Sequence, residues 1–203
     1  MTSTTTTSTT IATATFNAGL TYYQFDASQY NDDGYVQDIN VATFQNTNYQ
    51  RTGLIQNLAS IATPNWPNGG TYCALPGYSS FNCANIAVVM QGYFVAPSSG
   101  NYTFDALHTT DNDFYAWFNE DAEGTAWNNG NTAFEEQYPA FGGSASYELD
   151  AGEYLPLTFL WVNVGGPGQV IFQVTMADGS VVADTTGLFV PSVGCDGSTV
   201  FSP

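Results

Sequence analysis

A chain of 203 residues, 43% hydrophobic and 15% aromatic, is one large domain or two small ones with enough apolar material for a sizeable core. Its charged residues make up only 9%, and they are lopsided: 18 acidic side chains face a single basic one, Arg51, for a formal net charge of −17. Phosphate backbones and anionic membranes are both held by Lys and Arg, so nucleic acid and lipid surfaces are excluded as partners, and a cation or a neutral polyol suits this surface better.

Residues 2–10 are almost pure Ser and Thr. They cannot bury a core, so residues 1–12 read as a disordered lead-in open to O-glycosylation, with residues 13–203 as one domain. Met1-Thr2-Ser3-Thr4-Thr5 lacks the basic and apolar segments of a signal peptide and reads as the start of a mature domain behind an added Met. No apolar run reaches the ~18 residues of a membrane span, so no membrane insertion is expected.

From Thr13 to Phe25 the pattern becomes strand-like, and Asp26–Gly34 is a polar turn region. Tyr35–Phe44 alternates Val36, Ile39 and Val41 with polar residues. In Gln50–Thr63, Leu54, Ile55, Leu58 and Ile61 fall at helical spacing, which predicts a short helix or turn. Pro64–Ser80 is a loop of Pro, Gly, Asn and Tyr. Cys73 and Cys83 bracket its second half and read as a disulfide staple of an oxidising compartment, worth on the order of 3 kcal/mol in the chain-entropy model. Cys195 is left over: either its partner lies outside this chain, or it is the true partner of one of the other two.

Ile86–Val95 is a strong strand run, Pro97-Ser98-Ser99-Gly100 a turn, and Tyr102–Leu107 the next strand. Asn101-Tyr102-Thr103 is an N-glycosylation sequon, which fits a secreted protein. Asn119–Asn131 is a polar loop containing Trp127. Tyr147–Leu149, Leu157–Val162 and Val170–Thr175 are strands, and Asp178-Gly179 is a hairpin turn before Val181–Phe189. Many short strands, Gly/Pro turns and almost no helix predict an all-β antiparallel sandwich. No internal repeat or linker divides it.

Two stretches carry the chemistry. Thr109-Thr110-Asp111-Asn112-Asp113 places hydroxyl, amide and carboxylate oxygens at the mouth of an aromatic strand. Asn163-Val164-Gly165-Gly166-Pro167-Gly168 is a Gly/Pro loop between two strand runs. Together they could supply the six to eight oxygens that calcium takes. Val164 and Gln169 flank the second loop at positions able to tune a sugar ligand. Trp127, Trp161 and Tyr138 are rings that could stack on a sugar face. His108 reads as a packed strand residue.

Several local patterns coincide in one order. Gly19-Leu20-Thr21-Tyr22-Tyr23, then Gly92-Tyr93-Phe94-Val95-Ala96-Pro97 with Gly100-Asn101-Tyr102-Thr103-Phe104, then Asp111-Asn112 ahead of Trp117, Gly152-Glu153-Tyr154-Leu155-Pro156, and Asn163 before Gly165-Gly166-Pro167-Gly168 resemble the GLEYA domain of yeast cell-wall adhesins. The wider group includes flocculins and epithelial adhesins, on the lectin-like sandwich of anthrax protective antigen. The resemblance implies that Asp111 and Asn112, joined by a cis peptide, hold Ca2+ with Asn163 and carbonyls near Gly165 and Pro167. A terminal sugar would complete the shell, contacted by Asp111, Asn163, Val164, Gly166, Gln169 and Trp127. Asn112 stands where the family commonly has a second Asp, which removes one negative charge. The implied protein is a monomeric, calcium-dependent, carbohydrate-binding adhesin domain of the cell surface or cell wall. It would recognise terminal glycans of cell walls or host cells in adhesion or flocculation.

Rival readings are a calcium-independent protein-interaction or homotypic wall module, and a glycoside-active enzyme. Glycoside hydrolysis needs two carboxylates, which Glu120-Asp121 or Glu135-Glu136 could supply. Ser144, in Gly142-Gly143-Ser144-Ala145-Ser146, lacks the final Gly of a nucleophile elbow. One His and no Lys leave few acid–base candidates near neutrality, so no enzyme activity is expected.

Overall fold

A computed structural model describes residues 18–30, 39–61, 71–107, 110–137 and 142–192. The Ser/Thr lead-in, His108, Tyr138 and Cys195 lie outside these residues. The strands are β1 (Leu20–Asp26), β2 (Arg51–Ile55), β3 (Tyr72–Leu75), β4 (Tyr78–Asn82), β5 (Asn85–Val95), β6 (Gly100–Ala106), β7 (Asp113–Phe118), β8 (Phe134–Gln137), β9 (Gly143–Leu149), β10 (Tyr154–Val164), β11 (Phe172–Thr175), β12 (Val181–Val182) and β13 (Phe189–Pro191).

A seven-stranded sheet runs β2-β1-β5-β10-β7-β8, with β13 also paired to β5. A four-stranded sheet, β12-β11-β6-β9, lies against it, and β3-β4 is a separate hairpin. Every pairing is antiparallel. The expected all-β sandwich is therefore the observed architecture, and its only helical pieces among the described residues are short 3-10 turns.

The near-continuous apolar runs of β5, β7 and β10 follow from burial on both faces. Alternate residues of a strand point to opposite faces. Val88, Met90, Phe114, Phe159 and Trp161 face the second sheet. Val89, Tyr115, Trp117, Leu160 and Val162 face the other way, under Phe44, Ala122 and Trp127. In β6 only Tyr102, Phe104 and Ala106 are buried, and the residues between them are not, so that strand keeps the simple alternation of a one-sided sheet.

The described part of the helix or turn expected over Gln50–Thr63, residues 50–61, is not one helix. Residues 51–55 are strand β2, paired with β1, and only Leu58–Ser60 form a 3-10 turn, capped by the Asn57 side chain. The 3.6-residue spacing was met by a strand and a turn in succession, each burying its own apolar residues. Val41–Phe44, at the end of an alternating run, is likewise a 3-10 turn capped by Asn40. Cys73 and Cys83 form a disulfide across the β3-β4 hairpin, with Cα atoms 5.8 Å apart. Among the described residues no helix is long and apolar enough to cross a membrane.

Candidate functional site

β7 and β10 are neighbours, registered Asp113 to Val162 and Phe114 to Trp161. The turn entering β7 and the turn leaving β10 therefore sit at one end of the large sheet. Asp111 and Gln169 form an isolated antiparallel bridge, exchanging N–H···O bonds of 2.9 and 3.2 Å. The Asn112 N–H donates to the Val162 carbonyl at 3.3 Å, and the Val164 N–H donates to Asn112 Oδ1 at 2.7 Å. Trp161 Nε1 donates to the Asp111 carbonyl at 2.8 Å. Thr110 Oγ1 donates to the Ile171 carbonyl and accepts from the Ile171 N–H. The two stretches singled out in the sequence are thus brought together by both backbone and side chains. The Asp111–Asn112 peptide is cis.

Asn163 is fully buried. Its Nδ2 donates to the Cys83 carbonyl at 2.6 Å, which ties it to the base of the disulfide hairpin. Gly168 packs on the same amide: a Cβ there would lie 2.6 Å from Asn163 Cγ and Oδ1. Because Gly168 precedes Gln169, Asn163 lies against the chain that is bridged to Asp111. Gly165 and Gly166 both take positive φ, 71° and 68°, a conformation glycine adopts without steric cost. Gly165 N–H is held by the Ala84 carbonyl and by Asn85 Oδ1. Gly166 is exposed, while Pro167 and Gln169 are half-buried.

Two oxygens of this cluster have no partner. Asp111 Oδ1 and Asn163 Oδ1 are buried without a hydrogen bond. A buried polar atom left unpaired costs about 1–3 kcal/mol, so both are open to a further ligand. Burial pushes the Asp111 carboxyl up to about 6. Asp113 rises to about 8 through burial, then the nearby Glu135 and Asp111 carboxylates. Glu136 rises to about 9 through burial, then Asp113 and Asp111. Asp113 Oδ2 and both Glu136 oxygens are also buried and unpaired. The one Lys or Arg of the chain, Arg51, is held over the Phe81 ring at 4.2 Å, so among the described residues no Lys or Arg pairs with these acids.

The donor set fits a hard cation. It offers one carboxylate oxygen, one amide oxygen, the second lone pair of Asn112 Oδ1, and backbone carbonyls of a glycine turn. Among the described residues no three His, Cys, Asp or Glu side chains cluster as a metal site. The available oxygens are of mixed carboxylate, amide and backbone type.

Three expected sugar contacts are placed elsewhere. Trp127 is fully buried, its Nε1 donating to the Gly124 carbonyl at 3.0 Å, and it packs on Trp117 with ring centroids 5.3 Å apart. Trp161 is fully buried and serves as the donor to Asp111. The Val164 side chain faces the outer core. All three sit in strands or loops covered on both sides, which their apolar character alone did not reveal. The sequence does not show the anchoring roles of Cys83 and Gly168, which act through a backbone carbonyl and the absence of a side chain, nor that of Asn85, whose side-chain Oδ1 accepts from the Gly165 N–H. Glu136 is buried, in contrast to the exposed Glu135, Glu120 and Glu123. Asn101 is exposed on β6, where its amide is open to glycosylation.

An antiparallel sandwich with two interlocked oxygen-bearing turns on its rim is the lectin-like class of β-sandwich. The family model described as the GLEYA domain matches residues 86–176, a span from β5 to the end of β11. Among solved structures, the epithelial adhesin 9 A domain from Candida glabrata, determined in complex with Galb1-4GlcNAc, is 16% identical. It covers 85% of this chain and 88% of its own, with a TM-score of 0.66. The epithelial adhesin 6 A domain from Candida glabrata, determined with Galb1-3GlcNAc, is 17% identical over 92% of each chain, with a TM-score of 0.63. A PA14 sugar-binding domain from an RTX adhesin is 14% identical over 81% of this chain and 93% of its own, with a TM-score of 0.51. At these identities the likeness establishes the fold. No curated protein matches the chain by sequence.

Proposed function

We propose that this domain is a calcium-dependent, carbohydrate-binding adhesin module that recognises terminal glycan sugars at a cell surface or cell wall. The observation that carries this reading is the pair of buried, unpartnered oxygens, Asp111 Oδ1 and Asn163 Oδ1, on turns hydrogen-bonded to one another. Asp111, Asn112 and Asn163 would hold the ion with carbonyls of the Gly165–Pro167 turn. When bound, Ca2+ supplies an orienting Lewis acid that selects vicinal hydroxyls, which carboxylates in water do not. The protein's own part is positional. Trp161 and Gln169 fix Asp111, Cys83 and Gly168 fix the Asn163 amide, and the exposed Gly166 leaves room for a sugar ring beside Gln169.

Support comes from the GLEYA domain match and from fold neighbours determined with galactose-containing disaccharides. We read the rim as a binding rather than a catalytic site, in keeping with fold neighbours determined with bound disaccharides. A single shallow site is weak, and adhesion would draw on many copies displayed together. A glycan array probed with Ca2+ and again with EDTA tests the reading. A defined set of terminal sugars is expected to bind only when Ca2+ is present. Equal binding in both conditions would point to a calcium-independent module, and a blank array to protein-only adhesion.

A further inference from the structure

We propose a second saccharide-binding site, independent of the cation, in the groove along the β2 edge of the large sheet. The groove has a volume of about 860 Å³, within the range of about 300–1,000 Å³ typical of small-ligand sites. Its polar lining is Thr52, Gln56, Asn57, Ser60, Tyr78 and Thr186, with the Pro76-Gly77 turn also lining it. Neither Asp111 nor Asn163 lines it.

The walls are held in place. The tip of the β3-β4 hairpin is pinned by Tyr22, whose hydroxyl donates to the Pro76 carbonyl at 2.8 Å. Asn57 Oδ1 caps the 3-10 turn that carries Ser60. The Leu58 N–H donates to Thr185 Oγ1 at 3.0 Å, which fixes the loop bearing Thr186 to that turn. The site is therefore preformed, which lowers the ordering cost of binding.

Its chemistry selects a neutral polyol. The polar side chains of the lining are hydroxyls, amides and one phenol, Leu54 and Pro76 add apolar surface for the C–H face of a sugar, and no lining side chain is charged. The Gln56 side chain is exposed and makes no hydrogen bond among the described residues, so its donors and acceptor are free. Tyr78 is 40% exposed and offers a ring to the C–H face of a sugar and a hydroxyl to its rim. The Arg51 guanidinium lies 5.7 Å from the Tyr78 ring centroid and 4.2 Å from that of Phe81, and donates to Gln24 and Gln50. It is thus engaged in holding the hairpin rather than offered to an anion. A chain of net charge −17 repels anionic ligands further.

The test is NMR on protein with 13C-labelled tyrosine rings, in EDTA, titrated with chitotriose, α-mannotriose and Galb1-4GlcNAc in turn. EDTA removes any contribution of the calcium reading, so the two proposals fail separately. At least one of the sugars is expected to shift the Tyr78 ring signals and to receive saturation transfer from them. Gln56→Ala and Tyr78→Ala should each weaken that binding by about tenfold, Tyr78→Phe should retain most of it, and Asp111→Ala should leave it unchanged. For Tyr78→Ala the saturation transfer to the sugar is the readout. The proposal is overturned if none of the sugars perturbs Tyr78, if transfer persists in Tyr78→Ala, or if Asp111→Ala abolishes it.

Discussion

Asp111 and Gln169 exchange both backbone hydrogen bonds, at 2.9 and 3.2 Å, across turns that belong to different strands. The Asp111 carbonyl also accepts from Trp161 Nε1 at 2.8 Å. The carboxylate is therefore aimed by its own backbone, which two separate elements hold. Trp161→Phe removes one of these supports while keeping an aromatic ring in the core. A net loss of about 0.5–1.5 kcal/mol in stability is expected for one hydrogen bond, along with weaker calcium binding. Urea unfolding and calcium titration of the same variant check both.

Gly168 leaves no room for a side chain beside the Asn163 amide. Gly168→Ala would put a methyl 2.6 Å from Asn163 Cγ and Oδ1, where van der Waals contact requires more than 3 Å. The amide must turn, and its bond to the Cys83 carbonyl must stretch or break. Overpacking of this kind costs about 1–3 kcal/mol. Glycan and calcium binding should fall by more than this loss of stability would produce in a protein that remains folded, measured by calorimetry well below the unfolding transition.

Trp127 separates core from site. Trp127→Ala removes a fully buried ring packed on Trp117 and should cost about 3–5 kcal/mol. The more conservative Trp127→Phe should lower the melting temperature while glycan affinity, measured on the folded protein, stays as in the parent. A selective loss of sugar binding at unchanged stability would restore Trp127 to the site.

The buried acids set the pH response of the metal-free protein. Glu136 is raised from 4.5 to about 9 by burial and by the Asp113 and Asp111 carboxylates. Between those values the folded chain holds a proton that the unfolded chain has released, so stability falls as pH rises through this window. Asp113, raised to about 8, acts in the same direction. In EDTA the melting temperature should therefore decline as pH rises from about 5 to about 8. Glu136→Gln keeps the shape without the charge and should flatten that decline. Each kcal/mol recovered at the alkaline end is worth about 2–4 °C for a chain of this size. A melting temperature that rises with pH in both proteins would refute the assignment.

The sandwich was legible because β5, β7 and β10 are apolar on both faces and punctuated by Gly and Pro turns, and because β6 alternates. The pairing of the Asp111 and Asn163 stretches was legible from their oxygen-rich composition and from the ordered GLEYA-like motifs around them. Of the short helix or turn expected over Gln50–Thr63, only a turn forms, at Leu58–Ser60, because Leu54, Ile55, Leu58 and Ile61 satisfy a helical period whether one element carries them or two. The side chains of Trp127 and Val164, weighed as sugar contacts, are buried for a related reason: an aromatic or apolar residue near a functional loop reads alike whether it faces solvent or a second layer. Glu136 was weighed only as part of a pair of adjacent acids. Strand alternation sends its side chain inward and that of Glu135 outward, and that distinction needs the register with β7.

The most direct test is calcium binding itself, measured by isothermal titration on the metal-free domain and on its Asp111→Asn variant, which keeps the size of the side chain and removes its charge. The wild-type domain should bind Ca2+ at a single site, and the variant should bind at least about tenfold more weakly while remaining folded. Unchanged affinity in the variant, or no calcium binding by the wild-type domain, would contradict a cation held between the turns of Asp111 and Asn163.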